Sequence, residues 1–214
     1  MARTADHDAR RRQIAAAVHQ LVAEGGLDAA TVARVAKEAG FSVGLVQHYF
    51  PSKDALLLQT CRQVMADVNA RVADRIAEGI TGKQPISTVV FASLKELLPL
   101  DEARRGEYRV TRAFRDRSLD NPDLAEVART TAAELRAQLA QAVTNGKECG
   151  EVEPDADADL AATRITALTD GLADQLYADP ARKVGRRKLA SAAERLLRAA
   201  LDEVFTGECR QYGR

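Results

Sequence analysis

Residues 31 to 53 read TVARVAKEAGFSVGLVQHYFPSK, and this stretch decides the fold. In its first part Val35, Ala36 and Ala39 make an apolar stripe, while Arg34, Lys37 and Glu38 are left for solvent. Gly40-Phe41-Ser42 interrupts the pattern. Glycine suits a left-handed helix end, and serine is a good N-cap for a second helix. That second helix is expected over 43–50, with Val46 and Phe50 turned inward at i,i+4 spacing. Its other face carries Val43, Gly44, Gln47 and His48, a mixture suited to reaching into a groove. Pro51 ends it, and Ser52 caps the next helix. Two short helices around a tight glycine turn make a helix-turn-helix, whose second helix lies in a DNA major groove.

Upstream, Ile14, Val18, Leu21 and Val22 mark a helix that Gly25-Gly26 ends, and residues 1–8 are expected to be a disordered polar arm. Arg10-Arg11-Arg12 reads by itself as a solvated face, as most charge runs do. The chain has zero formal net charge, so any DNA affinity must come from a local surface. No segment is apolar enough for a signal peptide or a membrane span, which predicts a cytoplasmic protein with no membrane partner.

An enzyme is excluded on motifs. His7, His19 and His48 lie in the arm and the first helices, and none has a nucleophile or metal partner at a telling spacing. Cysteines at 61, 149 and 209 have neither a zinc-site spacing nor a disulfide framework, so reduced thiols are expected. Asp155, Asp157 and Asp159 lack the further oxygen ligands of a calcium loop and read as a helix N-terminus. No cofactor and no metal are predicted.

Downstream the chain is helical throughout. A long helix from Lys53 to about Glu78 carries Leu56, Leu57, Cys61, Val64, Val68 and Ile76 on one face. Further helices are expected at 86–98, 101–119, 123–146 (ended by Asn145-Gly146), 157–178 and 181–205. The basic run Arg182, Lys183, Arg186, Arg187 and Lys188 then falls in the opening turns of the last helix. The fold class is all-α, with about nine helices: a three-helix head over 1–55 and a larger helical bundle over 56–214.

Gly40, Ser42, Gly44, His48-Tyr49-Phe50, Lys53 and Leu56-Leu57 resemble the N-terminal signature of the TetR family of bacterial transcriptional regulators. Leu98-Pro99-Leu100, Glu107-Tyr108-Arg109-Val110, Phe114, Asn121-Pro122 and Asp170-Gly171-Leu172 resemble the C-terminal domain of its BetI-like branch. The resemblance implies that Val43, Gly44, Leu45 and Gln47 face base edges while Thr31, His48, Tyr49 and Lys53 hold the DNA backbone. Position 47 departs from the commonest pattern, where a tyrosine often stands. The resemblance also implies a homodimer built on the last two long helices, with Leu172, Leu176, Leu197 and Leu201 as interface residues and a four-helix bundle about a two-fold axis. It further implies a small-molecule pocket in the body. The bulky side chains Met65, Phe91, Tyr108, Phe114 and Tyr177, with Arg112 on the same helix as Phe114, are the expected lining. The expected function is a transcriptional repressor that binds operator DNA and is released by a small-molecule effector. An activator of the same family, or a helical adaptor, is the alternative.

Overall fold

The structure, a computed structural model, describes the backbone of residues 2–210 and the side chains from His7 to Arg210. Nine α-helices and one short hairpin appear among the described residues. The order is α1 (Ala2–Gly25), α2 (Val32–Ala39), α3 (Val43–Tyr49), α4 (Lys53–Thr81), α5 (Ile86–Lys95), α6 (Glu102–Ser118), α7 (Pro122–Cys149), α8 (Ala158–Ala178), β1 (Lys183–Val184), β2 (Arg187–Lys188) and α9 (Leu189–Asp202). The all-α class, the three-helix head and the helix count agree with expectation.

Two compact units divide the chain, one of residues 1–67 with 101–128 and the other of 68–100 with 129–214. Helices α4 and α7 each contribute to both. The first unit runs past the expected boundary at residue 55 to Asp67 and takes in α6.

In the first unit, Ile14, Val18, Leu21 and Val22 of α1 meet Val35, Ala36 and Ala39 of α2, Val46 of α3, Phe50, Leu56 and Leu57, each no more than 4% exposed. Burial of such side chains contributes about 1.5–3 kcal/mol each. Gly40 takes φ 69°, and the amide of Phe41 bonds back to the Ala36 carbonyl at 2.9 Å, so the turn between α2 and α3 is closed by a left-handed glycine. Helix α6 lays Val110 and Phe114 into this unit's core, and Gly106 lets its backbone approach Ala23 and His19 of α1.

In the second unit α9 packs against α8 and α5. Val90, Leu94, Ile165, Leu172, Leu176, Leu189, Leu197 and Leu201 are all buried there. Glu96, 7% exposed, accepts from Arg71 Nε at 3.1 Å and Arg75 Nε at 3.0 Å, so its charge is doubly paired.

Four local expectations are corrected. Residues 2–8 belong to α1 and form no disordered arm, because no glycine or proline comes before Gly25 at the helix end and the His7 ring packs on Tyr49. Helix α7 runs through Asn145-Gly146 to Cys149, since Gly146 serves close packing against Val152 and Phe205; the chain turns at Gly150, φ 91°. Helix α5 stops at Lys95, short of residue 98. The last helix begins at Leu189, and residues 183–188 form an antiparallel hairpin around Gly185, whose φ of 61° fits a two-residue turn. The basic run thus lies on an exposed hairpin.

Candidate nucleic-acid interface

Local chemistry positions the outer face of the head. Thr31 caps α2 by accepting the Arg34 amide at 3.4 Å, and Ser42 caps α3 by accepting the Leu45 amide at 3.2 Å. Ser52 does the same for α4, taking the Ala55 amide at 3.0 Å. With Val46 buried, α3 can turn only one face outward. That face shows Val43 (44% exposed), Gly44, Gln47 and His48. No atom lies within 4 Å of the position a Cβ would take on Gly44, so the helix surface there is open for close approach by a partner.

The expected backbone-holding residues flank this face. Thr31 and Lys53 are exposed at the starts of α2 and α4, and Lys53 Nζ lies 3.4 Å from Asp28 Oδ1. That pair is solvated, and a phosphate can replace its carboxylate at little cost. Tyr49 is half-buried; the His7 ring packs on it at a tilt of 54° with centroids 4.5 Å apart, and His48 meets its edge at 5.6 Å. Arg11 lies over the Phe50 ring at 5.2 Å, which fixes one member of the arginine run against the head. Leu45 is half-buried beside Val46 and presents only part of its side chain outward.

Two residues of α6 position the head, a role that neither shows in the sequence. Arg109 of α6 donates from Nη1 to the carbonyls of Ala23 at 2.8 Å and Glu24 at 3.1 Å, capping the end of α1. Arg117 of α6 pairs with Asp54 at the start of α4. Both contacts link residues more than sixty positions apart, beyond the reach of any periodicity.

The outward face, the caps and the turn are those of a DNA-reading helix-turn-helix. Residues 14–60 match the model of bacterial regulatory proteins of the tetR family, and residues 88–206 match that of the C-terminal domain of BetI-type transcriptional repressors. The chain belongs to the TetR family, with a BetI-type C-terminal domain. It is 30% identical over 182 residues to the HTH-type transcriptional regulator PksA of Bacillus subtilis, covering 85% of each chain. A transcriptional regulator from Rhodococcus sp. Rha1 superposes with a TM-score of 0.76 at 31% identity, over 92% of this chain and 96% of that one. A transcriptional regulator from Saccharomonospora viridis, solved in complex with choline, gives a TM-score of 0.76 at 25% identity over 91% and 96%. This TetR-family chain is therefore a non-catalytic DNA-binding regulator, and no helix among its described residues is long and apolar enough to cross a membrane.

The remaining site residues of this TetR-family regulator are divided between the two units. Met65, Tyr108, Arg112 and Phe114 belong to the first unit, Phe91 and Tyr177 to the second. Phe114 is 4% exposed and part of the core, while Met65, Tyr108 and Tyr177 are half-buried. Arg112 is half-exposed, and its Nε donates to Asp116 at 3.1 Å. Phe91 has the Arg198 guanidinium 3.8 Å from its ring centre and Lys95 at 5.7 Å, so cationic side chains already cover it. An open depression of about 590 Å³, lined by Asp74, Ala77, Glu78, Thr81 and Gly82, contains none of the expected lining residues.

Leu172, Leu176, Leu197 and Leu201, expected at the dimer interface, are at most 3% exposed within the single chain. They face their own core. Periodicity finds an apolar stripe but cannot say which of two neighbours a helix buries it against, and here α8 and α9 bury it against each other and α5. Outward on the same helices stand Leu160 (66% exposed), Ala167 and Leu196 (48%), with Gly171 half-exposed and open around its Cα.

Proposed function

We propose that this regulator is a homodimeric, sequence-specific repressor that leaves its operator when a small-molecule effector binds. The reading rests above all on the outward face of α3, where Val43, Gly44, Gln47 and His48 stand exposed around a fully buried Val46. A helix with that face, capped at both neighbours and flanked by Thr31 and Lys53, suits base edges in its middle and phosphates at its margins. The BetI-type C-terminal match favours repression over activation.

Dimerisation is assigned to the exposed face of α8 and α9, through Leu160, Ala167, Gly171 and Leu196, in place of the buried leucines. Small residues permit close helix approach, and a two-fold pairing would space two recognition helices to read half-sites one DNA turn apart. Helix α6 is the carrier of the response. It grips the head at the end of α1 through Arg109 and at the start of α4 through Arg117, so an effector that favours another position of α6 shifts the population of head geometries.

Choline, bound by the Saccharomonospora relative, is not carried over. Quaternary ammonium recognition needs open aromatic faces, and Phe91 already holds Arg198 on its ring. The test is a gel shift with DNA from upstream of the regulator's own coding sequence, repeated against a metabolite panel. Retarded DNA that one class of metabolite releases is expected. Failure to bind its own upstream region, together with random sites in a binding-site selection, would overturn the reading.

A further inference from the structure

Three chemistry-bearing side chains far apart in sequence meet at one end of the second unit. Cys149 closes α7, Glu151 lies two residues beyond it, and Cys209 lies beyond α9. The two sulfurs and a carboxylate oxygen lie within 4.8 Å of one another. Cys149 is 8% exposed and Glu151 1%, while Cys209 is half-buried. We propose that these three side chains bind a soft divalent cation of the zinc class and thereby fasten the C-terminal segment to the end of α7. This inference stands apart from the DNA-binding reading.

The cluster is built by the backbone. Gly150, at φ 91°, reverses the chain so that Cys149 and Glu151 converge. The amide of Arg210 donates to the Cys149 carbonyl at 2.7 Å and that of Gly207 to the Glu151 carbonyl at 3.0 Å, which carries Cys209 to the same place. Gly207 packs so closely on the Gly150 carbonyl that no Cβ fits there. Backbone hydrogen bonds on both sides of the cluster therefore set the ligand spacing.

The geometry suits a metal. The Cys149 thiol lies 3.4 Å from Glu151 Oε1 and 3.5 Å from the Gly146 carbonyl, two acceptors between which its one proton is shared. Bond lengths of about 2.3 Å to sulfur and 2.1 Å to oxygen in a tetrahedral site imply an S···O edge of about 3.6 Å and an S···S edge of about 3.8 Å. A cation can therefore replace that proton with small adjustments. Glu151 is also oriented from behind, since Oε1 accepts the Ile86 amide at 2.7 Å and Oε2 the Ser87 amide at 3.1 Å at the start of α5. Such supporting bonds hold a ligating carboxylate in place. Two thiols select zinc-like cations over calcium or magnesium, and the fourth position is left to water. Binding converts two thiols to thiolates, so two protons leave for each cation taken up.

Cadmium is the probe, because its thiolate bonds absorb in the ultraviolet. The reduced, full-length protein should develop that absorption, saturate at one equivalent and release two protons per cadmium. Cys209→Ser and Glu151→Gln should each weaken binding about tenfold or more. Cys61→Ser, in the other unit, should change nothing. Because Cys209 lies after the last helix, its substitution leaves the helices intact, which circular dichroism checks. No thiolate absorption on cadmium addition would overturn the site, as would absorption unchanged in Cys209→Ser. A Cys149–Cys209 disulfide formed in air, by a protein that takes up no cadmium when reduced, would replace it with a redox pair.

Discussion

Arg117 holds Asp54 with two hydrogen bonds, Nε to Oδ1 at 2.8 Å and Nη2 to Oδ2 at 3.1 Å. Asn121 adds a third, from Nδ2 to Oδ2 at 2.9 Å. Asp54 stands in the first turn of α4, directly after the recognition helix and its proline stop, and Arg117 in the last turn of α6. A carboxylate there complements the helix dipole as well as the guanidinium. The last turn of α6 is thereby tied to the residue that fixes where α3 ends and α4 begins.

The Arg117 hydrogen bond, helped by Asn121 and opposed by desolvation, holds the Asp54 carboxyl below its ordinary 3.8. A depressed folded pKa gives stability that is present above 3.8 and lost as pH falls through the folded value. Asp54→Asn should therefore unfold at lower urea than wild type at neutral pH, by about 1 kcal/mol. The gap should close in acid below the carboxylate range. A gap that is constant with pH would show that the charge of Asp54 is not what stabilises this contact.

Lys53 pairs with the fully exposed Asp28 carboxylate, so Lys53→Ala should leave the melting temperature nearly unchanged. On DNA it should weaken specific and non-specific binding alike and reduce the salt slope by about one. Fluorescence anisotropy across a salt series reads both quantities. An unchanged slope would remove Lys53 from the phosphate contacts.

Gln47 is exposed in the middle of the outward face of α3. A glutamine can take adenine through a bidentate pair worth about 1–3 kcal/mol of discrimination. Binding-site selection with Gln47→Ala should lose one strong base preference in each half-site while the rest of the motif persists. Identical selected motifs would mean that Gln47 specifies nothing.

Leu196→Glu combined with Ala167→Glu should give a folded monomer in sedimentation, with operator binding lost at dimer-dependent concentrations. Leu197→Glu should instead unfold the second unit, because Leu197 is 0% exposed and a buried unpaired carboxylate costs several kcal/mol (~3–5, as when a buried ion pair loses one partner). A stable dimer from the double variant would move the interface to another face.

Cys61 offers a check on the first unit's core. Burial pushes its thiol up to about 12, so it should resist alkylation at neutral pH in the native protein and react only on unfolding. Peptide mapping after a timed iodoacetamide pulse distinguishes it from the half-buried Cys209.

The sequence by itself determined the head. Gly40, Ser42, Pro51 and Ser52 act on their immediate neighbours, so a left-handed turn, two caps and a helix stop are legible wherever the chain is placed. The single buried Val46 stripe of a seven-residue helix then leaves one outward face, and Gln47 and His48 lie on it as the sequence implied. Tertiary structure alone decided what depends on the partner of a face. Leu197 and Leu201 form as clean a stripe as any interface would, yet α9 spends it on α8 and α5. Gly146 reads as a stop but is a packing glycine, because Val152 and Phe205 close over it. Arg112 shares a helix with Phe114, and its pairing with Asp116 one turn on is an ion pair that only the packed structure shows. Cys149, Glu151 and Cys209 carry no recognisable ligand spacing; a turn at Gly150 and two backbone hydrogen bonds bring them together. Caps and turns are energies of a few adjacent residues, while the choice among apolar faces, ion-pair partners and distant thiols is made only when the packed chain brings distant surfaces into contact.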